Sequence, residues 1–269
     1  MGKFNKTCIT GTAATAELLL GALPHQGAEA PLDAVLKKAG QAFGGERCSR
    51  IFMYNPDAIA MWFYEKHRKL FVPLEERCSL ALKMLSVFPP VTPVCFASMY
   101  SGMQPEQHGI REYTKPVLRA RTVFDELAAA GKKIAIVSTS GDSISEIFLE
   151  RPVDYYIYPK KEECNQKALE LIREDRHDMI VLYNGNYDYC IHRFGPEGLP
   201  SIHALKKNIA AFNSIYDEIS ASWAQHNTVL AFAPDHGCHR KFLLLGDHGI
   251  NEPCDMNIMH FYSFLARKE

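Results

Sequence analysis

The chain has 269 residues, 47% hydrophobic and 23% charged, with a net charge of −1 at pH 7. This is the composition of a globular protein with room for a sizeable core, and near-neutral charge without a long Lys/Arg run argues against a nucleic-acid polymer or an anionic membrane as partner. Eight cysteines without a CxxC pair read as reduced thiols in a cytoplasmic protein, not as a disulfide framework.

In chain order, residues 1–48 are rich in Ala, Gly and Leu and carry no motif. They read as one or two helices outside the sheet, either in a subunit contact or completing the core. The apolar run at 18–23 is too short to span a bilayer and lacks a cleavage site, so no signal peptide is expected. Residues 50–54 (RIFMY) make a short strand halted by Asn55-Pro56, and 58–67 reads as a helix. An amphipathic helix is expected over 121–130, stopped by Gly131. Strands follow at 133–138 and 154–158, a polar-faced helix at 162–174 and a strand at 179–183. A long helix at 202–223 and strands at 228–233 and 259–265 close the pattern. Strands alternating with helices predict an α/β fold, three-layer αβα with a mostly parallel central sheet. With no repeat or linker, one domain is expected over 1–269: a helical extension (1–48) and the motif-bearing core (49–269).

Several chemically capable residues fall at strand C-terminal ends, where open parallel sheets bind ligands. Asp57 follows RIFMY, Asp188 follows MIVLY, and Asp235-His236 follows TVLAFA. Asp188 and His192 lie one helical turn apart, so both side chains can project from one face toward one ion. Gly237 lets the chain turn tightly after Asp235-His236. Thr92, between Pro90 and Pro93, precedes a small-residue segment that can begin a helix. There its hydroxyl can cap the helix or face a bound anion, and a metal or base must lower its pKa before it attacks phosphorus.

Taken in order, these blocks resemble the alkaline phosphatase superfamily, in particular its nucleotide pyrophosphatase/phosphodiesterase (type I phosphodiesterase) and phosphonoacetate hydrolase branch. The carriers are Thr92-Pro93 through Ser98, Ser101 and Gly102, followed by Pro105 and His108-Gly109-Ile110. Further on come Asp188-x-x-x-His192-x-x-Gly195-Pro196, Asp235-His236-Gly237 and Gly246-Asp247-His248-Gly249. The order and approximate spacing hold from about residue 50 to the end. The resemblance implies an alkaline phosphatase-like core with one ion on Asp57, Thr92, Asp235 and His236, and a second on Asp188, His192 and His248. Zinc is the ion it favours, with manganese as the alternative. It implies a metal-dependent hydrolase acting by two in-line displacements through a phosphothreonine on Thr92.

Departures from the family pattern bear on the substrate. Relatives place a glycine after the first aspartate, whereas here Ala58 follows Asp57. Phosphodiesterase relatives carry an asparagine downstream of the nucleophile where this chain has Tyr113, flanked by Arg111 and Lys115. Those three residues, with Cys95 beside the nucleophile, are the substrate-facing candidates. The sulfatase C-x-P-x-R motif is absent, because Cys95 is followed by Phe-Ala-Ser-Met, so Cys95 also reads as a buried thiol. His239, Arg240 and Lys241 lie between two motif loops as a solvated loop or a substrate contact, while His25, His67, His177, His203 and His260 have no motif context. The short stretch from Gly195 to the helix near Ile202 leaves little room for the cap domain of mutase relatives.

The expected substrate is a small-molecule phosphodiester or phosphonate. A phosphomonoesterase or phosphomutase is the alternative, and a non-catalytic metal- or phosphate-binding protein the rival of another class. A homo-oligomer is left open.

Overall fold

The structure, a computed structural model, describes residues 2–242 and 245–268. Its first third contains β1 (Thr7–Cys8), α1 (Gly11–Leu19), α2 (Asp33–Ala42), β2 (Arg50–Pro56), α3 (Met61–Lys66), α4 (Val72–Glu75) and β3 (Leu80–Leu85). Then come α5 (Thr92–Ser101), α6 (Pro105–His108), α7 (Val123–Ala129), β4 (Ile134–Thr139), α8 (Ser143–Ile147), β5 (Asp154–Tyr158) and α9 (Lys161–Glu174). The last third holds β6 (Met179–Asn184), α10 (Asn186–Phe194), α11 (Leu199–Ser222), β7 (Thr228–Phe232), β8 (His239–Arg240), β9 (Gly246–Asp247), α12 (Pro253–Met256) and β10 (Asn257–Leu265).

Eight strands form one sheet in the order β1-β3-β10-β7-β2-β6-β4-β5. All its pairings are parallel except those of β10, which runs antiparallel to both β3 and β7. The predicted mostly parallel sheet is therefore correct, with one reversed strand inside it. Each strand that sequence periodicity picked out is present. By contrast β3 was not anticipated: it is half-exposed, with an alternating burial pattern and a lysine at Lys83, so it lacks the continuous apolar run that marks the central strands.

Alternate residues of the central strands face opposite layers. Ile51, Met53, Ile136 and Val181 pack with Phe96 and Phe124 on one side, where α1, α2, α5, α7 and α8 lie. Phe52, Tyr54, Val137 and Leu182 pack with Leu171, Phe212 and Trp223 on the other, under α3, α9, α10 and α11. Burying both faces accounts for the apolar runs, and each fully buried Phe or Leu contributes about 1.5–3 kcal/mol.

The first residues pack into this core as well. Ile9, Ala13, Ala16, Leu20 and Val35 join the α5 layer, and β1 adds an edge strand beside β3. Gly131, at φ 76°, closes α7 with its N–H on the Ala128 carbonyl, as the helix-stop signal implied. The helix expected from residue 58 starts only at Met61, because Ala58 adopts φ 61° and Ala60 bridges to Ile258.

Candidate metal centre

Strands β7, β2 and β6 are neighbours in the sheet, and the candidate side chains gather at their common C-terminal edge. Asp57 leaves β2, Asp235 and His236 leave β7, and Asp188 and His192 sit on α10 just beyond β6. Thr92 is the first residue of α5, which is buried throughout, so its hydroxyl is presented from a rigid base. His248 follows β9, the return strand of a hairpin with β8. These residues form two groups whose donor atoms lie within 4.8 Å of one another: Asp57, Asp235 and His236, and Asp188, His192 and His248. The rings of His236 and His248, one from each group, stand 4.1 Å apart.

Donor spacing within the groups is that of ligands about a common ion. His236 Nε2 lies 3.3 Å from Asp57 Oδ1 and 3.5 Å from Asp235 Oδ2. His192 Nε2 and His248 Nε2 each lie 3.3 Å from Asp188 Oδ1. Two ligands bonded at 2.0–2.1 Å to one tetrahedral ion stand roughly 3.3 Å apart. Asp57 Oδ1, Asp188 Oδ1 and Asp235 Oδ2 are buried and lack a hydrogen-bond partner in the structure, a costly state for carboxylate oxygens that a cation relieves. His236 Nδ1 donates to the Gly237 carbonyl (2.9 Å) and His248 Nδ1 to that of Pro90 (3.0 Å), leaving each Nε2 lone pair facing the group. The residues present thus fit a pair of divalent ions with nitrogen and oxygen ligands.

Thr92 Oγ1 is 3.4 Å from both Asp57 Oδ2 and His236 Nε2. On its other side, Asp57 Oδ2 accepts a hydrogen bond from Tyr183, at the end of β6. The Ala58 N–H reaches Asp235 Oδ1 at 3.3 Å, so the left-handed turn at Ala58 ties the β2 and β7 loops together.

Burial and the charge of Asp188 push the Asp57 carboxyl up to about 7. Burial and the Asp57 charge push Asp235 well above the carboxylate range. Burial and the nearby His248 lower His236 to about 3, keeping it a neutral ligand. Asp188 is half-buried, which opposes its charge, yet His192 and His248 outweigh that and hold its carboxyl well below the usual value. Burial opposes charge on His248, but Asp188 carries it up to about 9. Asp57 and Asp235 thus resist ionising together, and a bound cation would offset that.

A cleft of about 920 Å³ opens over Thr92, Asp57, Asp188 and His192. Of the substrate-facing candidates, Tyr113 and Lys115 line it: Tyr113 is 60% exposed, and the Lys115 ammonium is 5.6 Å from its ring centre. Arg111 is exposed and donates to the Glu106 carbonyl, off the cleft wall. Cys95 is fully buried against Ser86, 3.1 Å away, and burial raises its thiol pKa well above normal. The expectation of a buried thiol therefore describes its position, and its side chain does not line the cleft. Sequence reasoning missed Tyr183, Asn184, Asn186, Lys160, Lys161 and Asp142, which also line it. All lie at or just past the ends of β4, β5 and β6, so the strand-end rule that found Asp57 pointed to them as well.

Of the other histidines the sequence singled out, His203 is exposed and the rest are engaged elsewhere. His239 Nδ1 sits 2.9 and 3.0 Å from the two Asp255 oxygens, and with Cys254 these form a third donor cluster. That spacing is a made hydrogen bond, and Asp255 also accepts the Ile250 N–H at 3.1 Å, so no orphaned oxygen calls for an ion. Arg240 pairs with Glu197, and Lys241 with Asp247 at 2.5 Å. His25, His67 and His177 pair with Glu17, Glu197 and Asp154, and His260 reaches the Pro234 carbonyl.

The sequence model of the type I phosphodiesterase / nucleotide pyrophosphatase family matches residues 55–127, the stretch holding Asp57 and Thr92. No curated protein matches the chain. Among solved structures, an inactive threonine-to-alanine variant of murine ectonucleotide pyrophosphatase / phosphodiesterase 5, in complex with AMP, is similar at TM-score 0.59 and 14% identity, covering 71% of this chain and 58% of that one. The human form of that protein gives 0.58 and 14%, covering 71% and 57%. Phosphonoacetate hydrolase from Sinorhizobium meliloti 1021, in complex with phosphonoformate, gives 0.54 and 19%, covering 74% and 60%. The chain thus spans less than two thirds of the length of these structures. Its fold is of the alkaline phosphatase type, as the sequence motifs implied. No helix among the described residues is long and apolar enough to cross a membrane.

Proposed function

We propose that the chain is a two-metal phosphoesterase that hydrolyses a small-molecule phosphodiester or phosphonate, with Thr92 as nucleophile. One observation carries this reading: the Thr92 hydroxyl, at the start of a buried helix, stands 3.4 Å from two donors of a group with orphaned carboxylate oxygens. Asp57, Thr92, Asp235 and His236 would hold one ion, and Asp188, His192 and His248 the other. The donor set suits zinc, with manganese as the second choice. Once bound, such ions neutralise charge on phosphoryl oxygens and ease deprotonation of an oxygen they touch.

The chain's own groups supply the rest. Asp57 Oδ2 is an acceptor close to the Thr92 hydroxyl proton, which leaves as Oγ1 bonds to phosphorus. The ester oxygen departs from the opposite side, and water then cleaves the phosphothreonine, returning the threonine hydroxyl. The positive end of the α5 dipole favours the anionic phosphoryl group beside Thr92. Tyr113 and Lys115 line the cleft and would meet the ester's outer oxygens. The likeness to a pyrophosphatase / phosphodiesterase crystallised with AMP, whose Thr→Ala variant is described as inactive, supports this chemistry, as does the likeness to a phosphonoacetate hydrolase.

Initial rates on bis-p-nitrophenyl phosphate, p-nitrophenyl phosphate and a phenylphosphonate ester test the proposal, with zinc- and manganese-loaded protein. The expected result is metal-dependent turnover that favours the diester or phosphonate and drops at least about 10³-fold in Thr92→Ala. Turnover surviving that substitution would remove Thr92 from the mechanism.

A further inference from the structure

Beside the cleft lies a second groove of about 470 Å³ between α9 and α11. The two share Lys161, Glu162, Asn184 and Asn186 as lining, so the groove continues the cleft that opens over Thr92. Its floor is apolar, with Leu169, Ala211 and Ile215 among the lining side chains.

Two amides in the groove are incompletely satisfied. Asn186 is only 7% exposed; its Nδ2 donates to the Ala204 carbonyl at 3.3 Å, and its Oδ1 has no partner. Asn165 is half-buried, and its Oδ1 is covered and unpartnered. Both orphans are acceptors, so the ligand groups that match them are N–H or O–H donors. The charged lining of the groove, Lys161, Lys207 and Arg173 against the one carboxylate Glu162, is net positive and disfavours an ammonium. A purely anionic group would suit the lysines but leave both carbonyls unmet. Hydroxyl groups accept from lysine and donate to the amides at once, and the C–H faces of a saturated ring suit the apolar floor.

We propose that the groove between α9 and α11 is a subsite for a neutral, hydroxyl-rich organic group, a sugar or polyol ring, whose phosphate end lies at Thr92. Only the placement of that phosphate end rests on the phosphoesterase reading. The subsite makes the substrate class a sugar or polyol phosphate ester. Because the groove lies beyond the group that reacts, its effect falls on affinity and selectivity.

Calorimetric titration of zinc-loaded Thr92→Ala protein with myo-inositol 1-phosphate and with cyclohexyl phosphate tests this without turnover, since the two ligands differ only in ring hydroxyls. The inositol ester is expected to bind at least about tenfold tighter, the worth of one to two net hydrogen bonds. Adding Ala211→Trp, which fills the floor, or Asn165→Leu, which removes an acceptor, should shrink that preference to about twofold or less. Circular dichroism checks that each variant is folded. Equal binding of the two esters, or a preference untouched by both substitutions, overturns the subsite. Wild-type protein inert toward all esters, with the hydroxyl preference intact, would instead sink the hydrolytic reading and leave the subsite standing.

Discussion

Tyr183 reaches from the end of β6 to donate its phenolic hydrogen to Asp57, the carboxylate that ends β2 and faces Thr92. The contact joins neighbouring strands at the edge where the donor groups meet. It also fixes which Asp57 oxygen is spoken for: Oδ2 takes the phenol, and Oδ1 stays unpartnered toward His236.

Removing that phenol should loosen the centre without emptying the core. Tyr183→Phe keeps the ring against Phe96 and is expected to weaken zinc binding by about 10–100-fold, as losses of groups that orient a ligand do. Competition with a chelator measures it, and unchanged affinity would mean Asp57 is oriented by other contacts.

In metal-free protein the Asp57 and Asp235 carboxyls should contribute less to stability as pH rises through the weakly acid range. The folded-state pKa of Asp57 is raised from 3.8 to about 7, and that of Asp235 is raised as well. A carboxyl with a raised folded-state pKa favours folding while protonated, so its contribution fades as pH climbs from 3.8 through about 7. Asp188 is shifted the other way, and its contribution is lost only on acidification below 3.8, outside this window. His236, lowered to about 3, and His108 and His260, each lowered to about 4, act in the opposite sense below pH 6.5. The carboxyl effect is therefore read as a difference: the urea midpoint of chelator-treated Asp235→Asn should gain on that of the wild type as pH rises from about 5 to about 7. Identical slopes for the two proteins would contradict the assignment.

Gly237 is required by close approach to neighbouring backbone. A Cβ there would lie 2.3 Å from the Cys254 carbonyl oxygen and 3.1 Å from that of Asp255, whose oxygen accepts the Gly237 N–H at 2.6 Å. Gly237→Ala should destabilise the fold by about 1–3 kcal/mol and displace the Asp235-His236 loop. Chemical denaturation reads the first effect and metal affinity the second; a neutral result in both would show that the loop can move aside.

Zinc content should be two ions per chain and remain so in Cys254→Ser. The His239–Asp255 pair is already hydrogen-bonded, unlike the 3.3–3.5 Å donor spacings around Asp57 and Asp188. Elemental analysis after dialysis decides it. Three zinc ions falling to two in the variant would make the third cluster a metal site.

Much of the fold could be read from the chain because its central strands are buried on both faces. Runs such as RIFMY, MIVLY and TVLAFA carry their identity locally, and each ends where polar residues begin. Strand β3, one in from the edge, lacks that signature, since its residues are mostly half-buried or exposed and its place depends on β1 and β10. Helix α5 was legible only as a possible helix start, because a helix buried all round has no polar face to set a period.

At the site, the sequence by itself determined the inventory: a hydroxyl, carboxylates and imidazoles, with order and spacing that local chain geometry places at strand ends. Tertiary structure alone decided which oxygens are left without partners, how Tyr183 meets Asp57, and that Arg111 and Cys95 stay off the cleft wall. Those outcomes depend on contacts between segments far apart in the chain. Burial and the neighbours a side chain meets are set by the packed whole, and no local pattern of residue types encodes them.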